Sequence, residues 1–288
     1  MRAWDRESRG RFRSTLVAAG FLIAVAVVLA IALWPRSNST VTPTADPDPV
    51  ADAQVALGRG EPVTLVAPGE PPKWVNVAIG PASAVQLDRS ANRAPMRLDT
   101  HSAVLADLSP DPAIDVYRFE VELSNQGPAK THVGLYVGRQ HVVMPRGIFH
   151  VMAALTFTDE LGHGPDGERV GTWELKFRDI HEDPNRNNIH RGQDVKSGTF
   201  PLPNLGPDSG SHVLAVDVSP DTLTWHFDGQ QVASIPCVPK DLDQQLFRRR
   251  LQLTPDRLLE FSPRQAVGVC NFKGVAVCRR AKLIPTRN

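Results

Sequence analysis

The segment Tyr117-Arg-Phe-Glu-Val-Glu-Leu123 alternates apolar and charged residues without a fault. Successive side chains of a β-strand point to opposite faces, so this run reads as a strand with one buried and one wet face. The same period recurs along the chain. Phe149, Val151, Ala153, Leu155 and Phe157 stand at every second position, although Met152 and Ala154 between them are apolar too. Trp173, Leu175 and Phe177 alternate with Glu174, Lys176 and Arg178, and Leu223, Trp225 and Phe227 with Thr224, His226 and Asp228. Residues 213–218 and 267–270 are shorter candidates. Asp228-Gly229 joins the Trp225 strand to residues 231–235 with a strong hairpin signal. A second hairpin is expected to turn at 271–274 and to end in 275–278. Strands of period two, broken by Gly and Pro in a chain with 25 prolines, predict an all-β, antiparallel two-sheet sandwich without long helices. The best helical candidate is 240–250, where Leu242 and Leu246 lie four apart. Two polar stretches, 158–170 and 181–204, are expected as long loops, which in compact domains carry function or move freely.

Residues 16–34 are 19 consecutive positions without a charge. As a helix they match a hydrocarbon core of about 30 Å. Arg2, Arg6, Arg9, Arg11 and Arg13 precede them and only Arg36 follows closely. The positive-inside rule then places the N-terminus in the cytoplasm and the remainder outside. The expected organisation is a basic cytoplasmic tail (1–14), one transmembrane helix (15–34), a Pro- and Asp-rich spacer (35–71) and the sandwich (72–288), with 51–71 either spacer or edge strand. A cleaved signal peptide is the rival reading, with Ala30-Ile31-Ala32 as its cleavage pattern. The length of the apolar run favours an uncleaved signal anchor in the cell membrane, and either reading exports the domain. Asn38-Ser39-Thr40 is a glycosylation sequon, meaningful only in a host with that pathway.

The formal net charge is +1, and the first 13 residues carry five Arg against Asp5 and Glu7, which leaves about −2 for the rest. Such a domain lacks the basic footprint of a nucleic-acid binder. Cys237, Cys270 and Cys278 are too few for a disulfide scaffold. Cys270 and Cys278 flank the expected turn at 271–274, so they are the candidate disulfide, with buried thiols as the alternative.

A longer pattern runs through the exported part. It begins with Asp115-Val-Tyr-Arg-Phe-Glu-Val-Glu-Leu and Val133-Gly-Leu-Tyr-Val-Gly, continues through residues 212–218 and Leu223-Thr-Trp-His-Phe-Asp-Gly-Gln-Gln-Val, and ends in Ala266-Val-Gly-Val and Gly274-Val-Ala-Val-Cys. This order resembles the concanavalin A-like lectin/glucanase superfamily over residues 105–285. More closely, it is similar to laminin-G-like and keto-disaccharide-hydrolase-like exported domains. The resemblance rests on pattern rather than on an invariant chemical motif. It implies a two-sheet jelly roll whose concave face often binds saccharide.

Enzymes resembling that fold place paired carboxylates on one strand as Glu-x-Asp-x-(x)-Glu, because alternate residues share a face. No such motif is present. Glu174 and Asp179 fall on opposite faces, and Glu120 and Glu122 share theirs with Arg118, as on a solvated strand. Trp173 and Trp225 stand on apolar faces and read as core, while Tyr136 lies opposite Leu135 and Val137. Candidate ligand-binding residues are Tyr136, Arg139, His141, His226 and Asp228; no catalytic residue is assigned. His181, Glu182, His190 and His163 lack zinc-site spacing. Calcium on Asp183, Asn185, Asn187 or Asn188 fits oxygen chemistry but no known calcium loop. The expectation is a non-catalytic module for a glycan or a cell-envelope partner. A protein-interaction domain of an envelope complex is the alternative, and a saccharide hydrolase or lyase using His181, Glu182 and His190 a second one.

Overall fold

The computed structural model describes residues 48–286 except 91–92, 128–130, 145–146, 164–168, 183–188, 203–209, 237–261 and 263. The tail, the apolar segment 15–34, Cys237, the helical candidate 240–250 and Asp183 to Asn188 lie outside the described residues. Among the described residues no helix is long and apolar enough to cross a membrane.

The chain opens with α1 (Pro49–Gly58), followed by β1 (Val63–Val66), β2 (Asn76–Ile79), β3 (Val85–Leu87), β4 (Met96–Ser109) and β5 (Tyr117–Asn125). Then come β6 (His132–Met144), β7 (Gly147–His163), β8 (Arg169–Glu182) and β9 (Ile189–Pro201). The last strands are β10 (His212–Val218), β11 (Thr222–Phe227), β12 (Gln230–Pro236) and β13 (Ala266–Pro285). Every ladder among the described residues is antiparallel.

β4 and β13 pair along most of their length and, among the described residues, link all the strands into one hydrogen-bonded sheet with two wings, termed the first and the second sheet. The first half of β13 pairs β6, which leads through β7 and β8 to β9, while β2 closes the other side along β4. The second half of β13 pairs β5 and β1; β5 leads through β10 and β11 to β12, and β3 lies on β4. The switch falls where the register slips between Phe272 and Gly274, with Lys273 at φ 68° and Gly274 at φ 85°. An extra residue at positive φ bends a strand and raises its twist. The buried Asn271 amide fixes the bend by donating to Leu98 O (3.1 Å) and Gly274 O (2.8 Å). The main core collects the inward rows of both sheets: Leu135, Leu155, Phe157, Trp173, Leu175 and Phe177 from one, Phe119, Val121, Leu214, Val216, Leu223 and Trp225 from the other. A second buried cluster of Ile79, Leu105, Tyr136, Met152, Ile180 and Cys270 lies on the opposite face of the first sheet.

Several expectations need correction. Residues 271–274 are a bend within one long strand and not a hairpin. Cys270 and Cys278 therefore sit eight positions apart on β13, where a straight strand would separate them by about 26 Å. They are free buried thiols and not a disulfide, each pushed up to about 12 chiefly by burial. The stretches expected as loops are largely strand. β7 reaches His163, and β9, polar and on the edge of its sheet, occupies Ile189–Pro201. Folded structure also begins before residue 72. Asp48 caps α1 by accepting from Val50 N (3.0 Å), Pro49 opens the helix, and β1 pairs β13. The Asp228-Gly229 hairpin is as read, with φ of 48° and 79°, the positive values that a two-residue turn of this hand requires.

Candidate functional site

Asp107 is the one acid in an otherwise apolar run of β4, Ala103-Val-Leu-Ala-Asp-Leu108, and it is 1% exposed. In register across the sheet, Asp107 faces Gly268 on β13, and Gly268 faces Tyr136 on β6. A Cβ on Gly268 would come within 2.5 Å of Tyr136 Oη and 2.1 Å of Ala106 O. Glycine there lets the phenol lie across β13 and donate from Oη to Asp107 Oδ1 at 2.7 Å.

Arg139 reaches the same carboxylate because β6 is irregular. Residues 136 and 139 would point to opposite faces of a regular strand. Gly138 at φ 67° and a register slip between Val137 and Gln140 insert the extra residue that returns Arg139 to the face of Tyr136. The guanidinium then grips Asp107 in a two-pronged contact, Nε to Oδ1 and Nη2 to Oδ2, both at 2.6 Å. Asn76 on β2 donates to Oδ2 at 2.8 Å. Burial alone would lower the Arg139 pKa, but its hydrogen bonds and charge pairing with Asp107 raise it. Burial, then the Asp107 charge, pushes the Tyr136 phenol well above its ordinary range.

The third guanidinium nitrogen, Nη1, lies 3.2 Å from His150 Nδ1. Arginine only donates, so Nδ1 accepts and the imidazole proton resides on Nε2. Burial, reinforced by the Arg139 and His141 charges, lowers His150 to about 4. It is neutral at pH 7, with Nε2 3.7 Å from Glu182 Oε2.

Buried Asp107 and Arg139 and exposed Asn76 line a cavity of about 340 Å³ together with Trp74, Pro110, Gln140, His141, Gln265 and Ala266. An indole beside planar hydrogen-bonding side chains suits a hydroxyl-rich ligand. Asp107 is the cavity's one carboxylate among the described residues. Four donor atoms hold it, from Tyr136, Arg139 twice and Asn76. Glycoside cleavage uses two carboxyl groups flanking the bond, and this lining holds no such pair.

Three of the sequence candidates thus come together: Tyr136 and Arg139 on Asp107, and exposed His141 in the cavity wall. His226 and Asp228 belong to the other sheet. His226 Nε2 meets Asp217 Oδ2 at 2.7 Å. Asp228 accepts from Val213 N (2.8 Å) and pairs with His212 Nδ1 (2.7 Å), tying the hairpin turn to β10. His181 stacks on Phe149 at 4.1 Å between centroids, and His190 faces Ile180 in register on β9. Sequence reasoning missed Asp107, Asn76, Trp74 and His150. A lone acid in an apolar run was the available signal for Asp107. Elsewhere on the same sheet, Lys176 bridges Glu174 (2.7 Å) and Asp194 (3.1 Å), and Arg178 lies over the Phe272 ring at 4.7 Å. Among the described residues, no group of three or more His, Cys, Asp or Glu side chains is placed to hold a metal ion.

No protein-family model matches the chain, and no curated protein matches it. Solved structures do. A carbohydrate binding module, CBM66, from Bacillus subtilis is 9% identical at a TM-score of 0.43, over 75% of this chain and 96% of that one. The Bacillus licheniformis beta-glucanase is 11% identical at 0.44, over 77% and 98%. The laminarinase catalytic domain from Thermotoga maritima is 11% identical at 0.39, over 74% and 92%. At these identities and TM-scores the likeness carries no argument about what this chain does.

Proposed function

We propose that the chain is a non-catalytic binding module for glycan, a concanavalin A-like jelly roll held outside the cytoplasmic membrane by residues 15–34. The cavity beside Trp74 carries this reading. It joins an indole to the side-chain hydrogen-bonding groups of Asn76, Gln140, His141 and Gln265, and its carboxylate is already saturated. Sugar sites combine an apolar platform with a few fixed polar groups in this way. The preformed Asp107–Arg139 pair holds β2, β4 and β6 in place, so little ordering is left for the ligand to induce. The apolar segment and its flanking arginines support the membrane-anchored, exported placement.

A thermal-shift panel of polysaccharides and oligosaccharides, run on the full-length chain with and without calcium, tests the proposal. A ligand that binds the folded state raises the melting temperature by linkage. The expected result is a saturable rise with one glycan class that is lost in Trp74→Ala. A flat panel on a folded protein, or a rise that Trp74→Ala leaves intact, rejects it.

A further inference from the structure

Two buried arginines of the first sheet are not equivalent. Arg139 is 8% and Arg178 9% exposed. Arg139 places three nitrogens on acceptors, two of them on the Asp107 carboxylate. Arg178 also carries five N–H groups, yet it makes one hydrogen bond among the described residues, from Nη2 to Thr156 Oγ1 at 3.1 Å. Its Nε is buried without a partner. The Phe272 ring, 4.7 Å away, offers a cation–π contact but no lone pair. Glu174 Oε2 stands 3.8 Å from Nη2, beyond hydrogen-bond range, and is held instead by Lys176 at 2.7 Å. Burial lowers the Arg178 pKa, against the influence of Cys270, Glu174 and Asp194, whereas at Arg139 Asp107 outweighs burial. A buried charge without a hydrogen-bonded partner costs stability. A residue kept at such a cost is the mark of a site whose partner arrives from outside.

We propose that Arg178 receives an oxyanion, the carboxylate or sulfate group of an acidic saccharide, with Lys176 holding Glu174 off the guanidinium. This rests on the glycan-binding reading and names the class of glycan. Glu174, Lys176, Arg178 and Ile180 alternate on β8, and Ile180 belongs to the second buried cluster, so Arg178 lies on the face that carries Tyr136. Asp107, Gly268, Tyr136, Ala154 and Lys176 stand in register as one row across that face. At about 4.8 Å per ladder step, the row spans roughly 19 Å from Asp107 to Lys176, within reach of a saccharide chain that leaves the cavity.

Two measurements on the full-length chain test it. In urea unfolding without ligand, Arg178→Met should leave the midpoint level or raise it, whereas Arg139→Met lowers it. A fall as large as that of Arg139→Met would make Arg178 a structural residue and overturn the proposal. Calorimetric titration then compares tetragalacturonate with its methyl ester, and dextran sulfate with dextran; each pair shares its backbone and differs in charge. Hydrogen bonds to a charged group are worth roughly 10-fold or more in affinity. The acidic member of at least one pair should therefore bind about 10-fold tighter or better. Arg178→Met should abolish that preference. Arg178→Lys keeps the charge but not the planar fork, and should retain part of it. Equal affinities within both pairs, a preference that survives Arg178→Met, or binding of uncharged saccharides alone would overturn the proposal while sparing glycan binding. Absence of binding to every saccharide, in this test and in the panel, would remove the parent reading with it.

Discussion

Arg139→Met keeps the length of the side chain and removes its charge, which isolates the role of the buried ion pair. In the native protein Asp107 is 1% and Arg139 8% exposed, and two contacts of 2.6 Å join them. Methionine would leave the carboxylate with only Tyr136 Oη and Asn76 Nδ2. Removing one partner of a buried pair costs about 3–5 kcal/mol, because the other charge stays buried and uncompensated. At roughly 2–4 °C per kcal/mol for a domain of this size, the melting temperature should fall by about 6–20 °C. Asp107→Leu should cost a similar amount by stranding the guanidinium. The double variant should lie above either single one, about 2 kcal/mol below the native protein. Swapping a buried pair for apolar residues is near neutral, while Tyr136 and Asn76 lose their acceptor. Urea unfolding followed by tryptophan fluorescence reads this directly, since Trp173 and Trp225 are buried in the main core. At unchanged slope the midpoints convert to free energies. A loss under about 1 kcal/mol for Arg139→Met, or single effects that simply add in the double variant, would refute the reasoning.

Gly268→Ala should destabilise by about 1–3 kcal/mol, as overpacking does, because its Cβ would meet backbone on one side and the Tyr136 phenol on the other; a neutral urea midpoint would contradict this. His150 has a folded pKa of about 4 against an ordinary value of 6.5. Between those values the unfolded chain binds a proton that the folded one refuses, so stability should fall as the pH drops from about 6.5 to 4 and level off below. The loss should reach roughly 3 kcal/mol, and His150→Gln should flatten that part of the pH–stability curve; an unchanged curve would show that His150 is not buried neutral. In a Cys237→Ser background, Cys270 and Cys278 should resist thiol reagents at pH 8 in the native state, react fully once unfolded, and make the melting temperature indifferent to reductant. Rapid native labelling or a reductant-sensitive melt would reverse the assignment of buried thiols.

Strands with one buried face were readable because their alternation encodes the two environments. This holds for Tyr117–Leu123, Trp173–Phe177 and Leu223–Phe227, and it correctly set Tyr136 apart from Leu135 and Val137. β9 escaped notice for the converse reason. Many of its residues are polar on both faces, as an edge strand allows, and polarity without period looks like loop. Asn271-Phe-Lys-Gly274 has turn composition, yet positive φ serves a strand bend as well as a hairpin. Only long-range pairing distinguishes them. α1 was hidden by composition, although Asp48-Pro49 is a helix start. The site was half legible. Tyr136 and Arg139 were chosen by residue type and strand position, but their meeting point depends on the β6 bulge and on the missing side chain at Gly268. Asp107 pairs with no second carboxylate that a sequence motif could show; it stands alone among donors from two strands, β2 and β6.

The most direct test of the central claim is a crystal structure of the protein with the saccharide selected by the thermal-shift panel. The account predicts sugar density in the cavity against Trp74, hydrogen-bonded to Asn76, Gln140, His141 or Gln265, with the Asp107–Arg139 pair unmoved. Density seated elsewhere on the molecule, with this cavity empty, would contradict it.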